Sequence, residues 1–249
     1  MVKKIAVTGK GGSGKTMLCA LMIKLLAARG NLKLLAIDAD SAINLPYALG
    51  VETRETVARI RKQIIEDPVS RAHIEDKSIR TVMQEALAQG KGFQLLVMGR
   101  PEGPGCYCSI NDLLKYGIDG LAQHFDVTII DCEAGPEQVN RRVVKNVDLL
   151  IIVTETTLRG ARVAGEIAEV ARSSESINPG EMAIVVNRFR GDDGLIRDCA
   201  ERWGLDILGR IPDDDNITKY DSSGRPLIEL PDTSPSVAAV SEILREISL

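Results

Sequence analysis

Eight residues, Gly9-Lys10-Gly11-Gly12-Ser13-Gly14-Lys15-Thr16, constrain this chain more than any other stretch. They follow the apolar run Ile5-Ala6-Val7 and open the run from Met17 to Ala28, so the order is strand, glycine loop, helix. The spacing G-x-x-x-x-G-K-T is that of a phosphate-binding loop, in the structural context the motif requires. Gly11, Gly12 and Gly14 carry no Cβ, so the backbone can turn with positive φ and come close to a ligand. The loop's N–H groups then converge on anionic oxygens. The start of the helix adds unpaired donors and a positive dipole end. Lys15 supplies an ammonium for β- and γ-phosphates, and the Thr16 hydroxyl can ligate Mg²⁺. The expected ligand is ATP or ADP with Mg²⁺, held along Gly9 to Met17.

Composition decides what surrounds that loop. A chain of 249 residues suits one large α/β domain, taken here as residues 1–249. Hydrophobic residues make up 44% but aromatics only 3%, so the core is aliphatic, as in a sheet buried on both faces. So few aromatics leave little for stacking on single-stranded nucleic acid. With 31 Lys+Arg against 35 Asp+Glu, the net charge of -4 provides no field for DNA or an anionic membrane. No apolar run approaches the roughly 18 residues of a membrane span. The run after Lys3 and Lys4 ends at Thr8-Gly9, too short for a signal sequence. The expectation is a cytoplasmic protein, in which five cysteines are not a disulfide frame.

Strand and helix patterns alternate along the chain, with no repeat and no linker, which predicts a doubly wound, mostly parallel sheet flanked by helices. Strands are expected at 3–8, 32–37, 93–98, 125–130, 147–153, 182–186 and 206–211. Helices are expected at 15–29, 53–66, 158–173, 193–203 and 237–247. Residues 79–87 read as a helix or as a strand leading into one. The ligand should lie outside the carboxyl ends of the strands, where the chemistry-bearing residues fall. Asp38 and Asp40 close the second strand, beside the phosphate loop. One could hold a magnesium-bound water while the other orients the attacking water. Phe125 to Ile130 delivers a third acid, Asp131, in the pattern that holds Mg²⁺ through water. Asp131-Cys132-Glu133-Ala134-Gly135 then reads as a second switch, with the Gly135 N–H able to meet a γ-phosphate.

Between these acids lies Gly99-Arg100-Pro101-Glu102-Gly103-Pro104-Gly105-Cys106-Tyr107-Cys108-Ser109. Gly and Pro force an irregular loop, and a helix is expected from Ser109 to about Gln123. Cys106 and Cys108 thus sit at a helix N-terminus, whose dipole favours thiolates. One pair cannot complete a site for Zn²⁺ or Ni²⁺, but a two-fold dimer would assemble four sulfurs. A redox pair or two unrelated loop cysteines are the other readings. Cys19, Cys132 and Cys199 read as packed thiols, and Trp203 as a cap on the core.

Taken together, these motifs resemble a known superfamily. K-G-G-x-G-K-T, with Lys10 as the added first lysine, is similar to the deviant loop of the MinD/ParA/nitrogenase iron-protein group. The resemblance implies that Lys10 reaches into a partner's nucleotide site when two subunits close around ATP. It assigns Asp40 to water positioning, Asp38 to the magnesium shell and Asn187 to the adenine edge beside Arg188. It also brings Pro212, Asp213 and Asp214 to the border of the base. Members more often carry Pro or Gly where Ser41 stands. The added C-Y-C loop resembles the CooC family, nickel-handling ATPases that mature carbon monoxide dehydrogenase, with relatives serving acetyl-CoA synthase. That implies catalytic roles for Lys10, Lys15 and Asp40, with Mg²⁺ at Thr16, Asp38 and Asp131. It also implies Ni²⁺ or Zn²⁺ at Cys106 and Cys108 of a homodimer, and a client nickel enzyme. Two alternatives stay open, a metal-free positioning ATPase of the MinD/ParA type and an electron-transfer ATPase with a bridging iron–sulfur cluster. The last expected helix carries one base, Arg245, which argues against membrane targeting and for neither nucleic acid nor membrane as partner.

Overall fold

The computed structural model describes residues 4–66, 79–100, 119–135, 147–173 and 179–249. Its strands are β1 (Lys4–Gly9), β2 (Leu34–Ala39), β3 (Ala88–Gly90), β4 (Phe93–Val97), β5 (Val127–Cys132), β6 (Leu149–Thr154), β7 (Glu181–Phe189) and β8 (Asp206–Pro212). They form one eight-stranded sheet in the order β3-β4-β2-β5-β1-β6-β7-β8. Every neighbouring pair is parallel except β3 with β4. The direction of winding reverses beside β1, so the loop that follows β1 opens at the crevice where such sheets take their ligands.

The helices among the described residues are α1 (Lys15–Ala28), α2 (Leu45–Leu49), α3 (Val57–Glu66), α4 (Ile79–Glu85), α5 (Leu158–Ser173), α6 (Gly194–Trp203), α7 (Asp215–Ser223) and α8 (Pro235–Glu246). They cover both faces of the sheet, because alternate strand residues point to opposite sides. Ile5, Val7, Ala36 and Ile129 pack with Leu18 and Met22 of α1 and with Val240 and Leu244 of α8. Ala6, Ile37, Ile130 and Ile152 pack on the other side with Val57 of α3, Ile167 of α5 and Ile196 of α6. α1 is buried almost all round because it lies between the sheet, α2, α8 and the 3₁₀ turn at Leu227–Glu229. It ends at Arg29, with Gly30 beyond it in the left-handed conformation that stops a helix. Trp203 lies partly buried against the core. Its indole approaches Gly165 so closely that a Cβ there would sit 2.4 Å from Nε1.

Three elements depart from the sequence expectation. α2 and β3 were not anticipated, and neither was α7, a polar helix with no buried residue. α7 exists because Asp214 caps it. Asp214 Oδ1 accepts from the Asn216 N–H (2.9 Å), satisfying a first-turn donor. Oδ2 accepts from the Ser234 hydroxyl (2.5 Å), the Ser236 N–H (3.1 Å) and the Ser236 hydroxyl (2.7 Å) at the start of α8. One carboxylate therefore ties two helix starts together. Burial by itself would raise its pKa, but the Ser234 and Ser236 bonds prevail and hold it below the usual carboxylate range.

Asp214→Ala is expected to lower folding stability by about 1–3 kcal/mol at neutral pH, read by urea denaturation. A depressed pKa adds stability above the unfolded value and loses it as pH falls through the folded one. The difference between wild type and variant should therefore shrink below about pH 4.

Candidate functional site

The phosphate loop leaves β1 through a glycine that no other residue can replace without rearrangement. Gly9 has φ 148°, and a Cβ on it would stand 2.2 Å from the Val153 carbonyl oxygen of β6. At the far end Gly14, with φ 100°, begins α1 and has no side-chain cap. A Cβ there would overlap the Asn187 amide nitrogen at 2.1 Å. The first N–H groups of α1 are thus left to an anion. Asn187 Nδ2 donates to the Ser13 carbonyl (2.8 Å) and braces the loop from β7. Asn187 is buried within β7, not past its end as the sequence suggested. Lys15, only 7% exposed, donates from Nζ to the Lys10 carbonyl (3.2 Å), so its ammonium lies inside the cradle.

The acids meet this loop because of register. In the β2–β5 pair Asp38 stands directly opposite Asp131. Both are buried, at 0% and 1% exposure. Asp131 Oδ2 accepts from Thr16 Oγ1 (2.6 Å), while its Oδ1 is buried without a hydrogen-bond partner. Asp38 accepts the Asp40 N–H at Oδ1 (3.0 Å) and the Leu45 N–H at Oδ2 (3.1 Å), so it also shapes the loop between β2 and α2. That loop includes Ile43 at φ 53°, a strained position for a β-branched residue. Asp40 accepts from the Ala42 N–H (2.8 Å). Burial, reinforced by the charge of Asp131, pushes the Asp38 pKa up to about 7. Burial pushes Asp131 up to about 7 as well, against the opposing pull of Thr16 and Lys15. An all-oxygen donor set with one orphaned carboxylate oxygen fits a hard divalent cation such as Mg²⁺.

Other assignments land differently. The Gly135 N–H, expected to face a γ-phosphate, donates to the Gly9 carbonyl (3.1 Å). Arg188 is paired with Glu155. Asp213 is paired with Arg190 (2.6 Å), and Asp214 is turned into the fold. Pro212 closes β8. Cys19, Cys132 and Cys199 are buried thiols, and burial pushes each pKa up, which makes them inert. Cys106 and Cys108 lie outside the described residues. Among the described residues no group of three or more His, Cys, Asp or Glu is placed to hold a metal. Nor is any described helix long and apolar enough to cross a membrane. Glu133, within the segment read as a second switch, accepts from the Ser41 hydroxyl (3.3 Å) and so joins that segment to the loop after β2. Sequence reasoning missed Glu155, whose neighbours are treated below; it has no local motif and is brought in by strand order.

A glycine cradle, an uncapped helix start and buried acids at the carboxyl ends of a parallel sheet define a P-loop nucleotide-binding protein. The family model described as CbiA, CobQ/CobB/MinD/ParA nucleotide binding domain, matches residues 4–227, and the chain belongs to this family of P-loop ATPases. It is 39% identical over 248 residues to an uncharacterised ATP-binding protein of Methanocaldococcus jannaschii, covering 98% of this chain and 97% of that one. It is 31% identical to the septum site-determining protein MinD of Bacillus subtilis (94% and 84% covered). It is 30% identical to the carbon monoxide dehydrogenase accessory protein CooC of Rhodospirillum rubrum (89% and 88% covered). Among solved structures, the MinD of Pyrococcus horikoshii complexed with Mg-ADP superposes with a TM-score of 0.71 at 19% identity, covering 99% of this chain and 96% of that one.

Asp38 and Asp131 face each other and titrate as a pair. Their raised pKa values mean that this pair's contribution to the stability of the nucleotide-free protein is fully present below about pH 4, with both protonated. That stability is lost as pH rises through about 7. Melting temperatures measured across this window should fall with pH. Mg²⁺ with ADP should raise them more at the alkaline end, where the ionised acids can meet the cation.

Proposed function

We propose that this protein is an ATP-hydrolysing, nucleotide-dependent dimer that carries nickel to a client enzyme of the carbon monoxide dehydrogenase or acetyl-CoA synthase class. The observation that carries the reading is the coexistence, in one chain, of the Lys10-bearing phosphate loop and the Cys106-Tyr107-Cys108 motif. The likeness to CooC supports it.

In this reading Lys15 binds the β- and γ-phosphates and the N–H groups at the start of α1 hold their oxygens. Asp40 orients the water that attacks the γ-phosphorus, the bond to the bridging oxygen breaks, and ADP and phosphate leave. Thr16 and Asp131, with Asp38 beside them, would hold Mg²⁺, which would supply positive charge against the phosphates. Lys10 reaches the phosphates bound to the other subunit. Closure brings two Cys106–Cys108 pairs to one Ni²⁺ or Zn²⁺, and nucleotide and metal then tighten each other's binding. A second reading, a metal-free positioning ATPase, draws on the equal likeness to MinD of Bacillus subtilis.

Analytical ultracentrifugation with metal analysis separates the two. Nickel and ATP should each promote dimerisation. The double variant Cys106→Ser, Cys108→Ser should lose the nickel response and bound metal while keeping the ATP response. Unchanged behaviour of that variant would favour the positioning ATPase, and visible absorption in anaerobically purified protein would favour an iron–sulfur centre.

A further inference from the structure

The resemblance gave Lys10 a partner in another subunit, but the structure gives it one in its own chain. Lys10 Nζ lies 3.9 Å from Glu155 Oε2, with the two side chains 32% and 19% exposed. The other oxygen, Oε1, pairs with Arg188 Nη1 (2.5 Å). Register explains how Glu155 arrives there. Gly9 is the partner of Val153 in the β1–β6 ladder, so Glu155, two residues on, stands alongside the phosphate loop. Its backbone is fixed. The Thr157 N–H (2.7 Å) and the Thr154 hydroxyl (3.4 Å) both donate to its carbonyl, and a Cβ on Gly160 would stand 2.7 Å from that oxygen.

Arg188 is held as deliberately. It lies in β7 where the ladder with β8 shifts register between Val186 and Phe189, and its φ is 50°. An irregularity of this kind re-aims a side chain at the cost of local strain. Here it aims Arg188 at Glu155 while the adjacent Asn187 braces Ser13.

We propose that Glu155, set by Arg188, is a positioning residue for Lys10 that keeps the lysine in cis and must release it before Lys10 can reach phosphate on a second copy of this chain. The inference rests on the trans role of Lys10 in the proposed function. It assigns to Glu155 the setting of how readily ATP-loaded copies associate. A partly exposed pair at this distance is a weak restraint, worth about a two- to fivefold shift in equilibrium. Each dimer opens two of them, so removal should tighten the dimer dissociation constant roughly four- to twenty-five-fold.

The test is sedimentation of full-length wild type, Glu155→Gln and Glu155→Asp, with saturating ATP and Mg²⁺ over a range of protein concentrations. Glu155→Gln should dimerise at lower concentration than wild type, and Glu155→Asp, which keeps the charge, should stay near wild type. The gap between wild type and Glu155→Gln should narrow in about 0.5 M salt, which screens the pair. Thermal melts confirm that each variant is folded. Wild type that dimerises with an unchanged or weaker Glu155→Gln dimer overturns the inference and leaves the proposed function standing. Monomers throughout, for wild type and variants alike, overturn both.

Discussion

Two buried carboxylates on adjacent strands are the constraint on which the rest of this structure turns. Asp38 and Asp131 are register partners at the carboxyl ends of β2 and β5, and ionising both costs energy that the folded chain alone does not recover. Lys15 offsets part of it for Asp131, and two backbone N–H groups offset part of it for Asp38. What remains is a site whose ionised form needs positive charge from outside. The sheet that imposes this is aliphatic on both faces and provides no competing partner there. Binding of a cation with phosphates is thereby coupled to the folding energy of the sheet's own end.

The same sheet explains what could be read from residues in order. β1, α1, β2, β5 and β6 are long apolar runs bounded by Gly or Asp, and a run buried on both faces is legible because it never needs alternation. The phosphate loop was legible because its chemistry is local. Three elements were not. β3 is Ala88-Gln89-Gly90, three residues without a strand pattern, paired because the Phe93 ring fills the space over Gly90. α2 is five residues long, and its end at Gly50 shows only once Leu45 and Leu49 are seen to be buried. α7 buries no residue fully, resting only Ile217 and Tyr220 against the core, and it depends on Asp214 for its start.

Site residues divide along the same line. Gly9 to Thr16, Asp38, Asp40 and Asp131 were legible from spacing at strand ends, and the adjacency of β2, β5 and β1 is what brings them together. Glu155 reaches the loop region only through sheet order, and no spacing rule contains that order. At Asp213 and Asp214 the sequence expectation concerned the backbone segment alone. A motif position fixes where the backbone runs, but Arg190 and the serines of α8 decide where the carboxylates point.

Strand order also bears on how a nucleotide signal could leave the site. β6 and β7 sit beside β1 on the side away from the acids, and their ends carry Glu155, Asn187 and Arg188. Asp131 contacts the loop through Thr16 at the start of α1, whereas Glu155 and Asn187 contact it through Lys10 and Ser13 at its other limb. A phosphate entering the cradle therefore meets two independent sets of restraints, one sensing metal and charge, the other holding the lysine. Because the loop between them is glycine-rich, one limb can yield without dragging the other. That separation would let the hydrolysis proposed for Asp40 and the association proposed for Lys10 be adjusted by different residues of the same chain.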